Sequence, residues 1–128
     1  MNKLIKTDCL VIDIGKQYFD KHSCTIEVTD DYVEFRAHGE YDIIIRCALD
    51  TVKKILGKAT VSGGTYIEAD KANRTIVRYT KGFGGFNHRM DGLVTMSLST
   101  TDNSGKELCM ISAEATKLDK LLRKQWEL

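Results

Sequence analysis

The chain has 128 residues, of which 42% are hydrophobic and 29% charged, and it contains no proline. A chain of this length buries roughly two-thirds of its unfolded surface, so a single domain over 1–128 is predicted. A two-domain enzyme with a dinucleotide fold and a lid is excluded by length. The formal net charge of +1 argues against a protein that holds duplex DNA mainly through its phosphates.

The charge is unevenly distributed along the chain. Residues 1–50 carry ten acidic and six basic side chains, whereas residues 71–90 carry five basic side chains and no acidic one. Five acidic side chains lie close together in the sequence: Asp30, Asp31, Glu34, Glu40 and Asp42. They form either a solvated hairpin edge or a face that fits a basic cleft.

No targeting or membrane segment is predicted. Asp8 and Asp13 interrupt the apolar stretch near the N-terminus, and no window approaches the roughly 18 apolar residues of a transmembrane helix. We therefore expect a cytoplasmic protein without membrane contacts. The four cysteines, Cys9, Cys24, Cys47 and Cys109, form no C-x-x-C pair and are predicted to fill the core. No metal or cofactor is expected.

The first half of the chain predicts strands. Leu10–Ile14 is a short apolar run, residues 16–23 are polar and turn-like, and Cys24–Val28 and Tyr32–His38 alternate as a hairpin. In the second of these strands, one face is predicted to carry Val33, Phe35 and Ala37, and the other Tyr32, Glu34 and Arg36.

A helix is predicted over 43–56. Asp42 is its expected N-cap, the apolar residues that follow have helical spacing, and Gly57 is a natural stop. The β-branched run Ile43–Ile45 could instead prolong a strand.

The second half predicts two hairpins and a helix. Tyr66–Ala69 and Thr75–Thr80 are joined by a short turn, and Leu93–Ser99 and Glu107–Ile111 flank a run of turn-forming residues. Ser112 is the expected cap of a helix over 113–127. No sequence repeat is visible. The predicted fold is α+β: a mostly antiparallel sheet of hairpins with one central and one C-terminal helix on one face.

The loop over 81–92 is the main candidate site, because four glycines flank two phenylalanines among cations and amides. With the basic residues before it, it supplies the predicted binding residues Arg74, Arg78, Lys81, Phe83, Phe86, Asn87, His88 and Arg89. Aromatic and arginine side chains in such a loop favour either a protein contact or base stacking on single-stranded nucleic acid. A third interpretation is a hairpin loop whose phenylalanines cover the sheet edge.

Part of this loop resembles a nucleic-acid motif. The run KGFGGF, beginning at Lys81, is similar to the RNP1 motif of RNA-recognition domains, which would stack bases on its aromatic rings. It departs from the motif because Gly85 breaks the register and Asn87 to Arg89 replace the apolar continuation.

A second resemblance points to an enzyme. His38, a following helix, the Gly63-Gly64 pair and a strand pair look like the Janus-type phosphohistidine phosphatases. The resemblance implies His38 as a base, with Gly63, Gly64 and Arg78 as an anion site. The chain lacks the family's longer glycine run and ends in a helix instead of a strand.

The sequence therefore favours a small non-enzymatic binding protein that regulates or inhibits a protein partner through the loop. Single-stranded RNA or DNA binding is the first alternative, and a small phosphatase-like enzyme is the second. Edge strands and a terminal amphipathic helix also allow a homodimer.

Overall fold

The structure is a computed structural model that describes residues 2–59, 64–82 and 92–127. Most of these residues alternate between buried and exposed positions, as the strands of a half-buried sheet do. Eight strands and two helices follow one another within these described ranges: β1 Lys3–Asp13, β2 Tyr18–Val28, β3 Tyr32–His38, β4 Ile43–Ala48, α1 Leu49–Lys58, β5 Gly64–Asp70, β6 Thr75–Lys81, β7 Val94–Thr101, β8 Glu107–Glu114 and α2 Thr116–Trp126.

The strands form one antiparallel sheet in the order β4-β3-β2-β1-β8-β7-β6-β5. The sheet curls into a half-barrel, which confirms the predicted α+β class. Four consecutive strands followed by a helix occur twice, and β1 pairs with β8 where the two halves meet. This structural repeat leaves no visible trace in the sequence, because each half needs only an alternating pattern and a helix.

The core lies between the helices and one face of the sheet, which we call the inner face. Fully buried side chains from strands and helices meet there, among them Phe35, Tyr79, Leu98, Ile55 and Leu118. Cys9, Cys24 and Cys47 are also buried in this core, and Cys109 is half-buried. The opposite, outer face takes the alternate residues of each strand. None of the described helices is long and apolar enough to cross a membrane.

The predicted helix over 43–56 is wrong in its first half. Ile43–Ala48 is a strand paired with β3, and the helix begins at Leu49 without a side-chain cap. Asp42 instead contacts Arg36 and His38. Ile45 and Cys47 fit the apolar side of a helix as well as that of a strand, so the pattern alone does not distinguish the two. Pairing with β3 selects the strand.

Two further boundaries were predicted wrongly. Residues 18–23, predicted to form part of a turn, extend β2 along the whole of β1, so that Tyr18 pairs with Asp13. Ser112 lies within β8 instead of capping a helix, and α2 begins at Thr116. Residues 18–23 are mostly exposed, so they lack the apolar alternation that predicts a strand. Serine is common at helix caps, so Ser112 led to a predicted helix start that is too early. The predicted hairpins β2–β3, β5–β6 and β7–β8 are confirmed.

Candidate protein-binding face

The outer face carries apolar side chains of its own. The registers of five strand pairs align Phe19, Ile12, Met110, Ser99, Ile76 and Ala69 across the sheet from β2 to β5. We call this line the apolar row, although its member Ser99 is polar, fully buried and donates to Glu107. The Cβ atoms of directly opposed residues in an antiparallel pair lie about 5 Å apart, so the members of the row lie side by side on adjacent strands.

The apolar row is separate from the hydrophobic core. Its members Phe19, Ile12, Met110 and Ile76 do not belong to the buried core cluster, although Ile12, Met110 and Ile76 are half-buried. Phe19 is 67% exposed and stands close to the turn between β1 and β2. A phenylalanine at such a position presents most of its apolar surface to solvent. The row therefore leaves an aromatic side chain ready to be buried by another molecule.

A groove of about 550 Å³ adjoins the apolar row. Its walls come from β2, β1, β8 and β7: Asp8, Cys9, Leu10, Lys21, His22, Ser23, Thr95, Ser112, Ala113 and Glu114. Polar residues outnumber apolar ones there, although most of the exposed lining surface is apolar. Leu10 lies opposite both Lys21 and Ser112, one step along the strands from Ile12. The groove thus continues the outer face as a concave surface of mixed polar and apolar character beside the apolar row, and such mixed surfaces are common at protein interfaces.

Carboxylates neutralise three arginines on the described strands of the outer face. Arg78 forms a two-pronged pair with Glu107, whose longer contact joins Nη1 and Oε2 at 2.9 Å. Arg46 Nη2 donates to Glu34 Oε1 at 2.8 Å, and the pKa of Arg46 is raised, chiefly by this hydrogen bond. Arg36 contacts the other oxygen of Glu34, which is only 5% exposed. These guanidinium groups are therefore occupied within the sheet.

Replacing Arg78 with alanine should lower the free energy of unfolding by about 1 kcal/mol, since it removes a partly screened ion pair. Arg74→Ala, at an exposed turn, is the control and should change stability by less than about 0.5 kcal/mol. Urea unfolding followed by circular dichroism measures both. Equal stability of the two variants would show that the Arg78–Glu107 pair adds nothing to folding.

The structure separates the predicted basic residues. Arg74 lies in the turn between β5 and β6, with a φ of 50°, and lines a second groove of about 400 Å³ together with Lys71 and the β7–β8 turn. Arg78 is on the outer face, and Lys81 ends β6 on the inner side. Arg74 and Lys81 stand seven residues apart along an extended strand, roughly 23 Å. These three residues do not form one patch.

The remaining predicted binding residues, Phe83, Phe86, Asn87, His88 and Arg89, lie outside the described residues. Their role stays a prediction.

His38 lies at the end of β3 in a hydrogen-bonded set of its own. Its Nε2 is 2.6 Å from Thr25 Oγ1, and its Nδ1 is 3.5 Å from Asp42 Oδ1. His38 contacts Thr25 and Asp42, whereas Arg78 is paired with Glu107 of β8. The anion site that the phosphatase resemblance implied stays a prediction. Gly64 begins β5, and Gly63 lies outside the described residues.

The acidic residues of the first half also serve different roles. Glu34 and Asp42 pair with arginines, while Asp30, Asp31 and Glu40 are exposed around the ends of β3. A continuous acidic face is therefore not formed by all five.

Sequence reasoning missed the apolar row. Ile12 and Phe19 flank the β1–β2 turn at positions that pair in a two-strand hairpin, and this was the available local signal. Met110 and Ile76 join them only through pairings between distant strands.

Comparison with known families finds none that matches the chain, and no curated protein sequence matches it. Among solved structures, an SsgA-like sporulation-specific cell division protein from Thermobifida fusca is similar with a TM-score of 0.56 at 10% identity. The similarity covers 99% of this chain and 81% of that chain. A complement regulator acquiring outer surface protein from Borrelia burgdorferi, ErpC, is similar with a TM-score of 0.48 at 11% identity, over 94% of this chain and 96% of that one. At such identities the first similarity establishes a shared fold.

Proposed function

We propose that the chain is a protein-binding module that regulates or inhibits its partner through the outer face of the sheet. The observation that carries the proposal is the apolar row, which ends in Phe19 and lies apart from the core. Folding does not require an aromatic side chain that is two-thirds exposed. Burial of such a side chain against a partner supplies a large share of the binding free energy in protein interfaces.

The pairing of the outer-face arginines favours a protein over a nucleic acid. Phosphate-driven binding needs cations that are free to replace counterions. On this face Arg36, Arg46 and Arg78 are each held by a carboxylate of the chain itself. Alternating paired charges and apolar side chains suit a protein surface with a polar rim. The glycine-rich loop over 81–92 remains a second contact region in this proposal.

Affinity capture from a lysate of the source organism tests the proposal through matched variants. Phe19→Ser removes the exposed ring of the apolar row. Tyr41→Ser removes a ring that is more accessible still, 81% exposed, from the loop between β3 and β4. We expect Phe19→Ser to reduce capture of the bound protein at least ten-fold, consistent with a residue that contributes about 2 kcal/mol or more. The Tyr41→Ser variant should capture the same protein as the unaltered chain.

Binding to a labelled single-stranded RNA, measured at about 50 and about 200 mM salt, completes the experiment. Tight RNA binding that collapses at the higher salt would favour the nucleic-acid alternative and contradict the proposal. Equal capture by the Phe19 and Tyr41 variants would also contradict it.

A further inference from the structure

The two edges of the sheet differ in how much of their backbone is covered. At the β4 edge, Asp70 Oδ2 accepts a hydrogen bond from the Ala48 N–H at 2.7 Å, and Thr75 Oγ1 donates to the Arg46 carbonyl at 3.0 Å. At the other edge, β5 pairs with β6 alone. Within the described parts of the chain, no backbone hydrogen bond reaches the far side of β5.

Strand β5 carries only some of the devices that prevent edge strands from pairing. Natural edges are blunted by lysine, proline, a bulge, an inward-pointing charge or a covering helix. Gly64–Asp70 contains no lysine, proline or bulge, and its register with β6 is unbroken over seven residues. Helix α1 packs against the strand, and the inner-side carboxylates Glu68 and Asp70 are held by Lys58 and by Ala48 and Asn73. The outer-face residues of β5, Thr65, Ile67 and Ala69, are uncharged and exposed, with Ile67 at 56%.

We propose that β5 pairs with β5 of a second copy of the chain, antiparallel and about a twofold axis at Ile67. This residue is the centre of the seven-residue strand, so only this register pairs the strand along its whole length. Ile67 then faces Ile67 of the second copy, and Thr65 faces Ala69. On the inner side Glu68 faces the neutral Tyr66.

Charge complementarity selects the same register. A shift that centres the pair on Glu68 would oppose two carboxylates directly, and like charges in opposed positions destabilise a sheet. In the register centred on Ile67 no two charges of the same sign are opposed. The interface is isologous, as a closed dimer requires. It joins two eight-stranded sheets edge to edge and places the two outer faces side by side.

A cysteine placed at the axis tests this pairing. Opposed positions of an antiparallel pair lie within reach of a disulfide. Ile67→Cys should therefore form a disulfide-linked dimer under mild oxidation with oxidised glutathione, and dithiothreitol should reverse it. Thr65→Cys is the register control, because its partner is Ala69, and Ile44→Cys marks the β4 edge. Both controls and the unaltered chain should remain uncrosslinked on non-reducing gels.

Light scattering after gel filtration provides the second readout. The unaltered chain at about 100 μM should have twice the 14.4 kDa of one copy, and Ile67→Lys, which opposes two ammonium groups, should weaken the dimer at least ten-fold. Circular dichroism verifies that the variant remains folded. A monomeric unaltered chain would overturn the proposal, as would crosslinking of Thr65→Cys or Ile44→Cys as rapid as that of Ile67→Cys.

Discussion

Asp119→Ala is expected to lower the free energy of unfolding by about 3–5 kcal/mol, because it leaves the charge of Arg123 without its buried partner. Asp119 is 4% exposed and accepts hydrogen bonds from Tyr79 Oη at 2.7 Å and Arg123 Nε at 2.9 Å. Arg123 also donates to the carbonyl of Ala59 at 2.8 Å, just beyond the end of α1. One carboxylate thus organises the contact among α2, α1 and β6.

The tyrosine in this cluster remains a donor under ordinary conditions. Burial raises the pKa of Tyr79 to about 12, and the hydrogen bond to Asp119 also raises it, against the opposing effect of Arg123. The phenol is therefore protonated at neutral pH, and its hydrogen bond to Asp119 persists.

Urea unfolding at pH 7 measures the effect of Asp119→Ala. Lys58→Ala is the control, because it breaks an exposed pair with Glu68 and should reduce stability by less than about 1 kcal/mol. Asp119→Asn, which keeps an acceptor for Tyr79, should be less destabilising than Asp119→Ala. If Asp119→Ala lowers the free energy of unfolding no more than Lys58→Ala does, the cluster does not stabilise the contact among α2, α1 and β6.

Asp70→Asn is expected to destabilise the protein by about 1–3 kcal/mol at pH 7, and this difference from the unaltered chain should shrink in acid. Burial raises the pKa of Asp70, but hydrogen bonds from Ala48, Asn73 and Ala72 outweigh it and leave the pKa below its ordinary value of 3.8. A lowered folded-state pKa contributes stability that is fully present above the unfolded value and is lost as pH falls through the folded value.

The structural consequence follows from the position of Asp70. Its carboxylate joins the start of α1 to the β5–β6 turn, with Asn73 Nδ2 donating at 2.8 Å. Denaturant titrations between pH 7 and pH 2, on the unaltered chain and on Asp70→Asn, measure the pH dependence. Lys71→Ala, an exposed change in the same turn, should be nearly neutral throughout. A difference between Asp70→Asn and the unaltered chain that stays constant down to pH 2 would contradict the assigned role.

Local alternation was sufficient to predict much of the sheet. In β3 the buried residues Val33, Phe35 and Ala37 and the opposite face are as predicted. The same reasoning failed at Ile43–Ala48, because Ile45 and Cys47 fit a helix and a strand equally well. Only the partner strand β3 decides, and its pairing with β4 is a tertiary interaction that a local pattern cannot contain.

The candidate face was harder to predict for a related reason. The apolar row brings Ile12 beside Met110, and their residue numbers differ by 98 because β1 and β8 come from opposite ends of the chain. The alternation of apolar and polar residues within a strand does not show which other strand lies beside it in the sheet. The paired state of Arg78 was hidden in the same way, since Glu107 reaches it from another hairpin.

Photo-crosslinking from position 19 shows whether another protein covers the apolar row. A photoreactive phenylalanine analogue would replace Phe19 in one preparation and Tyr41 in another, each exposed to the same lysate. The proposal predicts a discrete protein adduct from position 19 that is absent from position 41 and diminished by excess unlabelled chain, but not by excess Phe19→Ser. Adducts from both positions in equal yield, or an adduct from position 19 that nuclease digestion removes, would contradict it.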